Sequence, residues 1–450
     1  MSRIKIKKGL DLPIAGKPQQ EITQGNAVSR VALLGEDYIG MRPTMEVKEG
    51  DRVKLGQLLF TDKKNAGIQY TSPGGGKVAE INRGAKRKFL SLVIELEGNE
   101  EETFTAYSKD NLKELDGQKT QTQLVKSGLW TLFKTRPFSR VPPLESRPHA
   151  IFVTAMDSNP LAPDMPAILE EEQAYFAAGL YVINSLTDGK CYICKRPDAS
   201  IPVPSDLERT EVHEFDGPHP AGLAGTHIHF LDPVGRRKTV WSIAAQDVVA
   251  IGHLFLTGKI LVDRIISLAG PGVKNPRLIK TRIGADINEL TKGELTSGTH
   301  RLISGSVLDG RQAVDARAFL GRFHQQVSVI PGNVDRQFLG WLSPGFDLYS
   351  IKNIVLSKVF PGKKFAFTPS IHGGKRAIVP VGTYEQVMPM DILPTYLYRA
   401  LAVDDVEEAE NLGCLELEEA DLALSTFACP AKIDHGENLR RVLTIIEKEG

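Results

Sequence analysis

Four short stretches carry residue types that could do chemistry. The first is Cys191-Tyr-Ile-Cys194. A Cys-x-x-Cys can hold zinc or run thiol–disulfide exchange. The local pattern predicts a strand, where side chains alternate between faces, so positions i and i+3 point opposite ways. No shared metal fits, and both thiols are expected in the core. The second is His227-Ile-His229, with His213 and His219 upstream. On a strand, i and i+2 share a face, so two imidazoles could meet; a zinc site needs three or four ligands. The flanking Gly217-Pro-His-Pro-Ala-Gly-Leu-Ala-Gly-Thr-His-Ile-His-Phe230 is stiff and turn-rich. It suits a fixed interface loop as well as a site, and no metal is expected there.

The third stretch, Ser127 to Pro143, stands where an NADH- or flavin-binding turn would be sought. Such a turn needs glycines, so that backbone amides at a helix N-terminus can reach phosphate. Here Gly128 is alone and the G-x-G-x-x-G spacing is missing. No Gly-Lys-[Ser/Thr] at nucleotide-binding spacing occurs, so ATP chemistry is unsupported. The stretch offers instead Trp130, Phe133 and Phe138 beside Lys134, Arg136 and Arg140. Aromatics next to cations suit a flat, electron-poor ring with donors for its carbonyl oxygens. They equally suit an interface anchor, or a core aromatic segment with a solvated basic edge. The fourth stretch is Cys414 with Cys429-Pro430. A cluster needs about four thiolates at tight spacing, and two cysteines fifteen residues apart do not supply them.

The elements that must position these residues fall into four expected units. Residues 1–100 read as a β barrel or sandwich, with strands such as Lys77–Ile81 and Phe89–Leu96 punctuated by glycines. Within it, Val47-Lys-Glu-Gly-Asp-Arg-Val-Lys-Leu-Gly-Gln-Leu-Leu-Phe60 and Tyr70-Thr-Ser-Pro-Gly-Gly-Gly-Lys-Val-Ala-Glu-Ile81 resemble the two turns of a biotinyl/lipoyl-type hybrid barrel. The stretch matching the carrier hairpin, Asp62-Lys-Lys-Asn-Ala66, lacks the modified-lysine setting and reads as a plain turn. Residues 101–255 read as a Rossmann-like α/β unit: a strand at His149–Ala155, a helix over Ala167–Leu186, strands at Cys191–Cys194 and Val212–Phe215, then a helix over Gln246–Thr257 stopped by Gly258. Residues 256–330, with turns at Gly270-Pro-Gly and Asn275-Pro, resemble a β-grasp, soluble-ligand-binding-like module. Residues 331–450 read as a mixed, largely helical region, with helices at Met388–Ala402, Leu417–Leu424 and Asn438–Lys448.

Bulk composition narrows the class. The 450 residues are 41% apolar and 24% charged, with Lys+Arg equal to Asp+Glu at 55 each. That excludes disordered and fibrous chains, and charge argues neither for nor against nucleic acid. Four cysteines imply no disulfide framework and fit a reducing compartment. No signal peptide is apparent, and no window approaches the ~20 apolar residues that span a bilayer.

Several motifs together resemble one family. Ile4-Lys-Ile-Lys-Lys-Gly-Leu-Asp-Leu-Pro-Ile-Ala-Gly16, Gly35-Glu-Asp-Tyr-Ile-Gly-Met-Arg-Pro43, Gly128–Pro142, Ala155-Met-Asp-Ser-Asn-Pro160 and Gly217–Phe230 are similar to the NqrA subunits of the sodium-translocating NADH:quinone reductases. The similarity covers essentially the whole chain. The family resembles RnfC and the flavin-carrying, NADH-binding subunit of respiratory complex I. Those relatives have a Gly-rich flavin loop where this chain has Gly128–Arg136. They have an acidic segment ending Glu-Pro where it has Asp157-Ser-Asn-Pro160, and Cys-x-x-Cys-x-x-Cys where it keeps Cys414 and Cys429-Pro430.

The resemblance implies a retained scaffold without its own flavin, NADH or Fe–S site. It implies a peripheral subunit at the cytoplasmic face of the bacterial inner membrane, docked on NqrB in a six-subunit complex. That complex passes electrons from NADH to ubiquinone while sodium crosses the membrane, with no nucleic acid among its partners. A sodium path needs carboxylates inside a bilayer, which this chain is not expected to enter. Quinone contact is assigned on this basis to Trp130, Phe133, Lys134, Arg136 and Phe138, with Gly35, Tyr38 and Met41 as a second wall. The rival within the same family is a purely structural adaptor. A third reading, a free-standing flavin or NADH enzyme, is opposed by the missing glycine loop; a yellow purified protein would revive it.

Overall fold

The computed structural model describes residues 2–332 and 340–449. A six-stranded sheet lies at the centre, in the order Ser2–Lys5, Thr210–Asp216, Lys190–Lys195, Ala150–Ala155, Val240–Ala244, Lys134–Arg136. Its pairs are parallel except the last, where Lys134–Arg136 runs antiparallel to Val240–Ala244. Such a sheet must be covered on both faces, and its alternation shows this. Ile151, Val153, Cys191 and Ile193 face one apolar cluster, while Phe152, Tyr192, Cys194 and Phe215 face another. The two cysteines thus lie on opposite faces, as strand geometry requires.

Helices Gln173–Asn184 and Ala245–Thr257 pack together against the first face. Two glycines let their backbones approach. A Cβ on Gly179 would sit 2.1 Å from the Val248 carbonyl oxygen, and one on Gly252 would sit 1.8 Å from that of Tyr175. The second helix ends at Gly258, whose left-handed φ of 72° lets its N–H bond the Leu254 carbonyl.

The glycine-punctuated N-terminal part forms two small sheets. One holds Arg30–Leu34, Phe89–Leu96, Gly76–Arg83 and Arg52–Val53; the other holds Pro43–Met45, Leu58–Asp62 and Gln69–Thr71. Asp62–Ala66 forms a turn, where the Asp62 carboxylate accepts the N–H groups of Arg42 and Lys64. A third unit is a six-stranded mixed sheet: Arg311–Gln312, His300–Ser304, Gln326–Pro331, Asp263–Ala269, Arg277–Arg282, Gln19–Gln24. The C-terminal helices Pro394–Ala402, Glu419–Ala428 and His435–Glu449 build their own apolar cluster around Leu397, Leu422 and Leu443.

Two strands of residues 1–100 pair outside the barrel's own sheets: Ser2–Lys5 joins the α/β sheet and Gln19–Gln24 the third sheet. Three expectations change. The helix expected over Ala167–Leu186 is two, Met165–Leu169 and Gln173–Asn184, parted at Glu170-Glu-Glu172, where Glu172 bonds back to Leu169. The helix expected over Met388–Ala402 starts at Pro394, a residue suited to the first helical turn. His227 and His229 lie on a helix, Ala224–Leu231, not a strand. The turn Gly217-Pro-His-Pro precedes it, and α spacing then turns i and i+2 away from each other.

Candidate functional site

The segment 127–140 supplies the edge strand Lys134–Arg136 of the central sheet and touches the barrel, the third sheet and the C-terminal helices on its way. Gly128 opens it with a left-handed φ of 77°, and a Cβ there would lie 2.3 Å from the Thr71 hydroxyl. This glycine is therefore a close-approach point between the barrel and the α/β unit. Beyond it, Trp130 and Phe133 turn inward. Both are fully buried, edge-to-face with each other and packed on Trp241. The Trp130 indole N–H donates to the Pro142 carbonyl at 2.9 Å. Neither ring presents a face to a ligand in this conformation.

The three cations of the segment are each engaged. Lys134 is half-buried, its Nζ 4.2 Å from the Phe323 ring centroid. Arg136 is fully buried on the C-terminal helices. It donates to the Glu416 carbonyl at 2.8 Å and to Asp421 Oδ2 at 3.1 Å, and pairs with Glu418 at 2.6 Å. Burial pushes the Asp421 carboxyl up, and Glu418, though desolvated, is drawn down by the Arg136 charge. Gly225 makes room for this triad, since a Cβ there would meet both Asp421 oxygens at 2.3 Å. Phe138 packs on the C-terminal cluster. Arg140 donates to the Ile39 carbonyl at 2.7 Å and pairs with Glu447, so it ties the barrel loop to the last helix.

The second wall is anchored as firmly. Gly35 sits so close to Phe89 that a Cβ would lie 2.4 Å from its carbonyl oxygen. Met41 packs half-buried against the main core. Asp37 accepts from Arg311 at 2.8 Å and from the Arg322 N–H at 2.8 Å. Arg322 continues to Asp247 at 3.2 Å, which also holds buried Arg264 at 2.6 Å. Three arginines and two carboxylates thus join barrel, third sheet and the first turn of helix Ala245–Thr257.

The two walls meet, and of the residues expected there Tyr38 alone lines the space between them. A cavity of about 40 Å³ lies between them, lined by Tyr38, Tyr70, Gly128, Leu129, Thr131 and Arg322 among others. Trp130, Phe133, Lys134, Arg136 and Phe138 do not line it. The Tyr38 and Tyr70 rings stand edge-to-face at 4.8 Å. The Tyr70 hydroxyl is buried with no hydrogen-bond partner. Burial raises the pKa of both phenols, so both remain O–H donors. Tyr70 and Arg322 lay beyond sequence reasoning: strand alternation could have turned Tyr70 inward, but nothing ties position 322 to it along the chain.

The histidines do not converge. His227 donates its Nε2–H to the Ala221 carbonyl oxygen at 3.0 Å, within its own turn. His229 accepts the Asp391 N–H on Nε2 at 2.9 Å, which puts its proton on Nδ1, 2.8 Å from Glu416. His219 lies against Ser158 at 3.1 Å, and His213 against Ser2 at 2.7 Å. Among the described residues, no group of three or more His, Cys, Asp or Glu is placed to hold a metal ion. Cys414 and Cys429 are buried in the C-terminal cluster, Cys429 3.0 Å from the Tyr384 hydroxyl.

Fold and junction define a class: a multidomain α/β protein whose N-terminal barrel unit and helical C-terminus are clamped onto a mostly parallel sheet. Residues 4–97 match the NqrA N-terminal barrel-sandwich hybrid domain, 115–260 the NqrA second alpha/beta domain, and 265–315 the NQRA C-terminal domain. The A-subunit of the Na(+)-translocating NADH-quinone reductase of Hahella chejuensis is 55% identical over 99% of this chain and 100% of its own length. That of Haemophilus influenzae is 54% identical at the same coverage. An NAD+-reducing [NiFe]-hydrogenase in the air-oxidized state superposes over 51% of this chain and 48% of its own, at TM-score 0.34 and 13% identity. The chain belongs to the NqrA family of the Na+-translocating NADH-quinone reductases, and is one component of an NADH:quinone oxidoreductase complex. Among the described residues no helix is long and apolar enough to cross a membrane.

Proposed function

We propose that this chain is the peripheral, quinone-contacting subunit of that complex, docked at the cytoplasmic face on the membrane subunit NqrB. In this reading it carries no flavin, NADH or Fe–S site of its own, and catalysis belongs to the assembly. Its α/β unit is read as Rossmann-like and its third sheet as β-grasp-like, a dehydrogenase scaffold kept for positioning.

The observation that carries the quinone contact is the junction cavity with its unpartnered Tyr70 hydroxyl. A buried O–H without a partner is costly, and a quinone carbonyl oxygen would accept from it. Tyr38 supplies an aromatic wall and Arg322 a second donor. Ligand pockets for ring-sized molecules run to roughly 300–1,000 Å³, whereas about 40 Å³ is room for water. Entry of the ring therefore requires the Gly35–Met41 wall to part from Gly128–Thr131, and Trp130, Phe133 and Arg136 act as the rigid backing of that segment.

The test is calorimetry of the purified chain with a short-tail ubiquinone, beside Tyr70→Phe and Tyr38→Phe. Saturable binding that weakens in Tyr70→Phe supports the site. Binding that both variants leave unchanged moves the contact elsewhere. The adaptor reading, with no ligand site, is favoured by the burial and internal pairing of Arg136, Trp130 and Phe133. No binding to the isolated chain, together with quinone binding by the assembled complex that Tyr70→Phe and Tyr38→Phe leave unchanged, would select it.

A further inference from the structure

We propose that residues 342–381 form a face that lies directly on an anionic phospholipid surface. This inference rests on the reading that the chain works at a membrane, and goes beyond it by making lipid a partner in its own right. Among the described residues, nine of the thirteen large apolar side chains left exposed fall in this one stretch. They include Phe346, Phe360, Val359 at 68% exposure, Ile371 at 63% and Ile354 at 78%. Grouped exposure of this kind marks an interaction surface, whereas scattered apolar residues do not.

Charge identifies the partner. The stretch holds six cations, Lys352, Lys358, Lys363, Lys364, Lys375 and Arg376, against one carboxylate, Asp347, in a chain whose total charge is zero. Only Lys363 is ion-paired within it, to Asp347 at 2.6 Å. The inner side is pinned to the body by Tyr349, Phe365, Phe367 and Phe427, whose rings pack on one another, and Phe365 pairs with the backbone at Pro13 and Ala15. The outer side is thus held in place while it shows aliphatic and aromatic side chains interleaved with lysines. That is the chemistry of a headgroup interface: apolar side chains enter the acyl boundary while cations meet phosphate. An irregular segment suits it, because a lipid surface demands no fixed register.

The experiment is co-sedimentation of the full chain with phosphatidylcholine vesicles, with and without phosphatidylglycerol. Wild type is compared with Lys364→Glu/Lys375→Glu and with Ile354→Ser/Val359→Ser; circular dichroism checks that each stays folded. The expected result is binding that needs phosphatidylglycerol, weakens with salt, and falls about fivefold or more for each cation lost. The serine variant should lose binding without changing the salt dependence. Binding that is indifferent to lipid charge, or unaffected in both variants, overturns the proposal. So does a pattern in which the variants bind vesicles normally yet fail to rejoin membranes holding the other subunits, since that marks a protein interface. No quinone is present in the assay, so its failure leaves the quinone contact standing.

Discussion

Replacing Arg136 with Met should release the C-terminal helices from the α/β sheet. The side chain is wholly buried and is the counter-charge of buried Asp421 at 3.1 Å and of half-buried Glu418 at 2.6 Å. Removing one partner of such a buried set leaves uncompensated charge and costs about 3–5 kcal/mol. The loss should be local, because Leu397, Leu422 and Leu443 form a core of their own. Hydrogen exchange should rise first in Glu419–Ala428, and the thermal transition should drop or split. The pH dependence has a definite sign. In the wild type Arg136 depresses the Glu418 carboxyl, a stabilisation present above its unfolded value and lost as pH falls. In the variant that contribution is gone and both carboxyls rise, so acidification from pH 7.5 toward 5 protonates them and narrows the deficit. Adding Glu418→Gln and Asp421→Asn should recover most of the loss at pH 7.5. A single variant as stable as wild type at pH 7.5, or a deficit that does not narrow on acidification, would refute the argument.

Other consequences follow from the same packing. Gly225→Ala would push a methyl against both Asp421 oxygens and should cost about 1–3 kcal/mol, read by thermal melting. Burial pushes the Cys191 and Cys414 thiols up to about 12 and raises that of Cys194 as well. The native chain should therefore resist iodoacetamide at pH 8 and take up to four labels only after denaturation, counted by mass spectrometry. Burial lowers His227 to about 3 and His219 to about 4. Both stay neutral when folded, whereas the unfolded chain binds protons near pH 6.5, so stability is full above that value and lost below it. Between pH 6.5 and 5 each should cost up to about 2 kcal/mol; His227→Gln should flatten the melting-temperature slope across that range. Tyr70→Phe should leave stability unchanged or raise it by up to about 1 kcal/mol, since its hydroxyl has no partner to lose. A fall in stability would show instead that the hydroxyl is satisfied.

What the sequence determined by itself was local. Alternation placed Cys191 and Cys194 on opposite faces of a strand, because side-chain direction there has a period of two. Gly258 stopped its helix because only glycine enters the left-handed region without strain. Long motifs with specific spacing, Gly35–Pro43 and Gly217–Phe230 among them, carried the family. What only tertiary structure decided was which residues meet. Lys134, Arg136 and Phe138 read as free to take a ring, yet Arg136 is consumed by Glu418 and Asp421, some 280 positions away, and nothing near Arg136 announces such partners. His227 and His229 followed a turn whose geometry selected helix over strand, so the shared face vanished. The cavity residues Tyr38, Tyr70, Gly128 and Arg322 come from three units, and a pocket between units has no periodicity of its own to leave in the chain.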